Sequence, residues 1–154
     1  MQTGHEKTLT ALLPALAGAS LIYGAGMTES GVTFDAAQLV IDDEIARMVM
    51  FTLGGVKVDD VSLAIDDINA VGPFQDFLSL DATMRHMREQ SQPVLFDRRV
   101  REEWTGAGSV DAYEAARRRA CEIIEGHRPL PVEPEVAEAM HDVVEAADRE
   151  VGVD

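Results

Sequence analysis

Cysteine is almost missing from this sequence: Cys121 is the single one in 154 residues. One thiol forms no intrachain disulfide and no CxxC metal or redox site. A reducing, cytoplasmic compartment is therefore the default expectation. Cations are scarce as well, with 13 Lys and Arg against 28 Asp and Glu and a formal net charge of −15. That balance argues against nucleic acid, whose phosphates call for clustered Lys and Arg. It argues equally against an anionic membrane surface. No apolar run approaches the roughly 18 residues a membrane span needs, and the start shows no charged segment leading into an apolar one. His5, His86, His127 and His141 lie far apart and form no HExxH-like spacing, so no metal site is expected. Gly24-Ala25-Gly26 is too short for a dinucleotide fingerprint, which uses three glycines to open a helix. There is no internal repeat and no low-complexity segment.

What is present fits one soluble domain with a core: 46% of the residues are hydrophobic, an ordinary share for a globular chain. The organising stretch is Ala11 to Ile45. Leu9, Leu12, Leu13 and Leu16 fall on one face of a helix, with Pro14 inside it to kink the chain near Thr10 and Gly18 to cap it. Ser20 to Ala25 is short, apolar and uncharged, bracketed by Gly18, Gly24 and Gly26. It reads as a strand covered on both faces. A Gly-rich turn follows, Gly26 to Gly31, and then a helix from about Ala36 to Leu53. Thr33 or Asp35 caps that helix, Leu39, Ile41, Ile45, Met48, Val49 and Leu53 form its stripe, and Gly54-Gly55 ends it.

From Asp59 onward the signals are helical. Asp59 or Asp60 caps a segment carrying Val61, Ala64, Ile65 and Ile68, which Gly72-Pro73 stops. Short helices are expected from Asp81 and over Arg98 to Trp104. Ser109 is the expected cap of a longer helix bearing Tyr113, Ala116, Ala120, Ile123 and Ile124, closed by Gly126, with Cys121 buried on that side as a structural thiol. A Pro-rich connector then leads to an amphipathic helix, Glu135 to Glu150. Twelve acidic and five basic residues lie from Asp111 to the end, so the tail holds much of the negative excess. Three regions result: 1–57, 58–128 and 129–154.

A buried strand must have its backbone groups paired, each orphan costing roughly 1–3 kcal/mol. Ser20 to Ala25 has no clear partner in the sequence. Val32 to Phe34 and Val94 to Phe96 pair with it weakly, or its partners lie in another segment or chain. The abrupt helical start points the same way.

Several blocks at consistent spacing resemble the trimethylamine methyltransferase family, the corrinoid-dependent methyltransferases of trimethylamine, glycine betaine and related amines. They are Gln2-Thr3-Gly4-His5-Glu6-Lys7, Leu16-Ala17-Gly18-Ala19, Gly24-Ala25-Gly26, Glu29-Ser30-Gly31, Leu39-Val40-Ile41-Asp42-Asp43-Glu44-Ile45, Val71-Gly72, His86-Met87-Arg88-Glu89 and Leu95-Phe96-Asp97-Arg98. His5 stands where the family has an aromatic residue, and Pro14 is foreign to that helix. The resemblance runs from Gln2 to about Pro129 and covers only the C-terminal third of such proteins, upstream of which their pyrrolysine position falls. It implies an α/β fold, the end of a (β/α)8 TIM barrel that contributes one strand, Ser20 to Ala25, before a mostly helical extension. By residue count the chain is mainly α.

The activity implied is the one known from methanogenesis-type methylamine metabolism: transfer of a methyl group from a small amine to a corrinoid carried on a partner protein. This chain is not expected to bind a cofactor itself. An N-terminal barrel fragment or further copies of the chain would complete the barrel. Because barrel active sites lie in the loops after the strands, Glu29 becomes the catalytic candidate, a carboxylate facing a cationic ammonium. Tyr23, through its aromatic face, and Ser30 are the substrate-binding candidates. Asp42-Asp43-Glu44 reads as a solvated helix face or a partner contact. A second reading is a non-catalytic helical module for interaction or oligomerisation.

Overall fold

The computed structural model describes residues 2–152. They form helices and one two-stranded sheet: α1 (Gln2–Leu16), β1 (Met27–Thr28), β2 (Thr33–Phe34), α2 (Ala36–Leu53), α3 (Asp60–Leu63), α4 (Ile65–Val71), α5 (Asp81–His86), α6 (Arg101–Gly106), α7 (Ala112–Gly126) and α8 (Pro134–Val151). The chain divides into two units, residues 1–122 and 123–154. Among the described residues, no helix is long and apolar enough to cross a membrane.

The first unit is built on α1 packed against α2. Its core is Ala11 and Ala15 of α1 with Ile45 and Val49 of α2, and Leu12, Ile41 and Phe96 pack around them. The expected leucine face of α1 is therefore displaced. Leu9, Leu13 and Leu16 stay 42%, 62% and 61% exposed, because the helices meet along the alanine stripe, where small side chains let backbones approach. Helix α1 runs through Pro14 and ends two residues later. There the Gly18 amide bonds to the Ala15 carbonyl at 3.0 Å and the Ala19 amide to the Pro14 carbonyl at 2.9 Å. Gly18 sits at φ +91°, a left-handed C-cap that satisfies the last carbonyls.

Ser20 to Ala25 is not a strand in this structure. The short strands lie just after it, with Met27 opposite Phe34 and Thr28 opposite Thr33, antiparallel. Thr33 and Phe34 thus pair with Met27 and Thr28 rather than with the apolar run. The reason is that a strand is a non-local structure: its ladder exists only when a neighbour supplies the other half, and no described segment does so.

The helix ends follow local chemistry. Asp35 caps α2, its side chain accepting the Ala37 amide at 2.8 Å. Asp59 caps α3 in a capping box with Ser62, each side chain taking the other's backbone amide. The helix expected from Asp59 to Ile68 is split by Ala64, which sits at φ +49° between α3 and α4. Asp111 rather than Ser109 caps α7, accepting the Glu114 amide at 2.8 Å. Ser109 has φ +55°, and an N-cap is usually extended. Cys121 is exposed rather than buried.

In the second unit α8 begins at Pro134, whose missing N–H matters least at a helix start. Gly152, at φ +75°, closes it. Its apolar residues Val136, Met140, Val143 and Val144 are all exposed.

Candidate functional site

Two helices and the loop between them define the site. Between α1, the run Leu21–Ala25 and α2 lies a hollow of about 480 Å³, with Lys7, Tyr23, Met27, Leu39 and Asp42 among its lining. Its size falls within the range of small-molecule sites. Leu21 and Tyr23 on its rim are 77% and 81% exposed.

Asp42 is the polar centre of this region. It is 8% exposed, and three donors converge on its carboxylate: the Lys7 ammonium from α1, the Gly26 amide at 2.8 Å, and the Gln38 side-chain amide, also at 2.8 Å. The Gly26 amide is thereby held, and with it the start of the hairpin. The Gly26 carbonyl accepts the Asp35 amide at 2.9 Å, so Gly26 ties the hairpin to the cap of α2. Only glycine fits there. Its φ is +77°, and a Cβ would stand 2.6 Å from the Phe34 ring.

The hairpin turn Glu29–Gly31 carries two of the three predicted site residues. Glu29 and Ser30 have φ of +49° and +57°, two successive left-handed non-glycine residues, each costing about 1 kcal/mol or more. Such strain persists only where the surroundings over-determine it, and it concentrates at ligand clamps and switches. Both residues are exposed. The Thr33 hydroxyl donates to Glu29 Oε2 at 2.6 Å, which fixes the carboxylate across the turn. Tyr23 borders the hollow, whereas Glu29 and Ser30 are not part of its lining. This chain therefore does not bring the three into one cavity.

The acidic run in α2 is not the solvated face expected of it. Asp43 alone behaves so, being exposed and paired with Arg47 at 2.7 Å. Asp42 is buried, and Glu44 is 5% exposed and accepts the Val94 amide at 2.8 Å, pinning the loop before Phe96. The missed signal was periodic. Gln38, Asp42, Ile45 and Val49 share one helical stripe, so Asp42 falls in the row that carries the core.

A second charged contact lies at the start of α2. The Tyr113 hydroxyl donates to Asp35 Oδ2 at 2.9 Å. Desolvation pushes the Asp35 carboxyl up, but the Tyr113 hydroxyl and the Ala37 and Gln38 amides together outweigh it and hold the group below its ordinary value. Accepting that bond, and then its negative charge, raises Tyr113 in turn. His86 Nδ1 lies 2.8 Å from Glu89.

Comparison with known proteins gives this geometry its context. The family model described as trimethylamine methyltransferase (MTTB) matches residues 1–152. The chain is 47% identical over 152 residues to the trimethylamine methyltransferase MttB of Desulfitobacterium hafniense, with 99% of this chain and 31% of that protein covered. It is 43% identical over 148 residues to MttB1 of Methanosarcina mazei, covering 96% of this chain and 30% of that one. A glycine betaine methyltransferase of Desulfitobacterium hafniense is 28% identical over 153 residues, covering 98% of this chain and 32% of its own length. The chain thus spans about a third of the length of these relatives, and corresponds to their C-terminal portion.

Proposed function

The chain belongs to the trimethylamine methyltransferase family, and from that membership we propose that it forms the C-terminal portion of an enzyme moving a methyl group from trimethylamine to a corrinoid protein. The observation that carries this reading is 47% identity along 99% of the chain. The 28% identity to a glycine betaine enzyme supports trimethylamine over betaine as the methyl donor. The Ser20–Ala25 run is read as a barrel strand once its neighbours are present, because Leu21, Ile22 and Tyr23 are apolar and exposed. On that reading the Glu29–Gly31 turn follows the strand's C-terminal end, where barrel sites are built.

The roles of this chain's residues follow from charge and shape. The Tyr23 ring offers its face to an ammonium. The Glu29 carboxylate, fixed by Thr33, compensates the cation, and the Ser30 hydroxyl supplies a polar contact. A corrinoid carried by a partner would supply the cobalt that accepts the methyl group from trimethylammonium, and the C–N electron pair would stay with the departing dimethylamine, which keeps the proton the ammonium already carried. No residue of this chain is assigned to hold the corrinoid.

The test is turnover with trimethylamine and with glycine betaine, using this chain completed by the upstream portion of its relatives. Trimethylamine should be the better donor, and Glu29→Gln should lower kcat/KM about tenfold or more. Equal turnover of betaine would overturn the substrate assignment. Unchanged turnover in the Glu29→Gln enzyme would remove Glu29 from the site.

A further inference from the structure

The hairpin that carries Glu29 and Ser30 has little fastening of its own. Its strands, Met27–Thr28 and Thr33–Phe34, hold two residues each, and an isolated two-stranded hairpin is marginal in water. From Gly26 to Phe34 only Gly26 is buried; Met27 and Thr28 are half-buried and the rest are exposed. Its position is therefore set at its base. There the Gly26 amide donates to Asp42 Oδ2 at 2.8 Å, and the Gly26 carbonyl accepts the Asp35 amide at 2.9 Å. The second leg runs straight into α2, whose N-cap is Asp35. The first leg is held to α2 through Asp42.

Asp42 is suited to that task and to nothing more direct. Its Oδ2 takes Lys7 and Gly26, and its Oδ1 takes Gln38. Both oxygens are engaged in a buried setting, so the carboxylate is neither a free base nor a free partner for a cation. We infer that Asp42 is a positioning residue for methyl transfer: through Gly26 it sets where the Glu29–Gly31 turn stands, without touching the substrate. The inference rests on the function proposed above, in which Glu29 meets the ammonium. Two strand residues separate Gly26 from Glu29, a reach of about 10 Å. A tilt of about 6° at the base then moves the Glu29 carboxylate by about 1 Å, a misplacement that costs about 100-fold in rate. The Thr33 hydroxyl ties Glu29 to the other leg, so the carboxylate moves with the hairpin.

The experiment uses this chain joined to the upstream portion of its relatives, with trimethylamine as the methyl donor. It compares Asp42→Ala, Asp42→Asn and Gln38→Ala in the parent and in Glu29→Gln. Asp42→Ala should lower kcat/KM about 100-fold. Asp42→Asn, which keeps one acceptor for Gly26 and disturbs the fold less, should fall only about three- to tenfold. Gln38→Ala removes a donor from the same carboxylate but leaves the Gly26 bond, and should stay within about twofold of the parent. In Glu29→Gln both Asp42 losses should shrink to about twofold or less, because the group they misplace is gone. The second measurement is amide exchange of Val32, bonded to the Glu29 carbonyl, and of Asp35, bonded to the Gly26 carbonyl. Both should speed about tenfold or more in Asp42→Ala, and less in Asp42→Asn, while the α7 amides keep their rates. Unchanged exchange, an Asp42 loss as large in Glu29→Gln as in the parent, or Asp42→Asn as impaired as Asp42→Ala would overturn the inference. Faster Val32 and Asp35 exchange in a joined form that transfers no methyl group supports the positioning of the turn by Asp42 while refuting the proposed function, so the two failures are distinguishable.

Discussion

Removing the Asp42 carboxylate should cost this chain more than any other single surface-to-core polar change in α2. Asp42→Ala leaves three donors behind: the Lys7 ammonium, the Gly26 amide and the Gln38 side-chain amide. Breaking a buried pair by removing one partner costs about 3–5 kcal/mol. Lys7 is 22% exposed against 8% for Asp42, so its ammonium swings to water and its share falls. The Gly26 amide and Gln38 are buried and cannot follow, each costing about 1–3 kcal/mol, not additively. The expected sum is about 3 kcal/mol, or about 6–12 °C in Tm for a chain of this size. Asp42→Asn keeps one acceptor for Gly26 and should lose about half as much. The assay is guanidinium unfolding followed by circular dichroism, with exchange of the Gly26 amide as a local probe. A loss under about 1 kcal/mol in Asp42→Ala, or an unchanged Gly26 exchange rate, would refute the claim that this carboxylate fastens the hairpin to the helix pair.

Three further outcomes are expected. Gly26→Ala places a Cβ 2.6 Å from the Phe34 ring at φ +77° and should lower stability by about 2–3 kcal/mol in the same unfolding assay; a neutral effect contradicts the close approach. Tyr113 is raised by its bond to the Asp35 carboxylate and by that charge, so it contributes stability below pH 10 that is lost as pH rises through its folded value. In a Tyr23→Phe background, the ultraviolet tyrosinate titration should have its midpoint above 10 and fall back in Asp35→Asn, and a midpoint at or below 10 is the contrary result. Glu114 is held at about 2, first by its bond to Arg117 and then by Arg118. Its contribution is present above the ordinary 4.5 and disappears as pH falls from there toward 2. Glu114→Gln should flatten that acid limb of helicity measured by circular dichroism, and an unaltered limb means that the pairs add nothing.

Legibility in the sequence tracked how local each signal was. The caps Asp35 and Asp59, each one of two candidates in the sequence, and the terminators Gly54, Gly72 and Gly126 were readable because capping is settled within four residues. The helices themselves followed from their periodic apolar rows. Ser20 to Ala25 misled because strand propensity says what a segment pairs with readily, not whether a partner is there. The leucine row of α1 misled because larger residues look more like core than Ala11 and Ala15, yet close helix contact selects the small ones. Ala64 gives no hint of its left-handed turn. Glu29 and Ser30 were located by resemblance, and their positive φ is a backbone feature that no composition or spacing reveals. Asp42 was passed over because an acidic triplet suggests solvent, although its register with Ile45 and Val49 placed it inward.

We propose that this chain acts in methyl transfer as the C-terminal portion of a larger catalytic body. The most direct measurement follows the loss of Co(I) cobalamin absorbance on addition of trimethylamine, with this chain alone and with the chain joined by the upstream portion of its relatives. The account predicts methylation only in the joined form. Turnover by the chain alone, or none from a joined form that has folded, would contradict it.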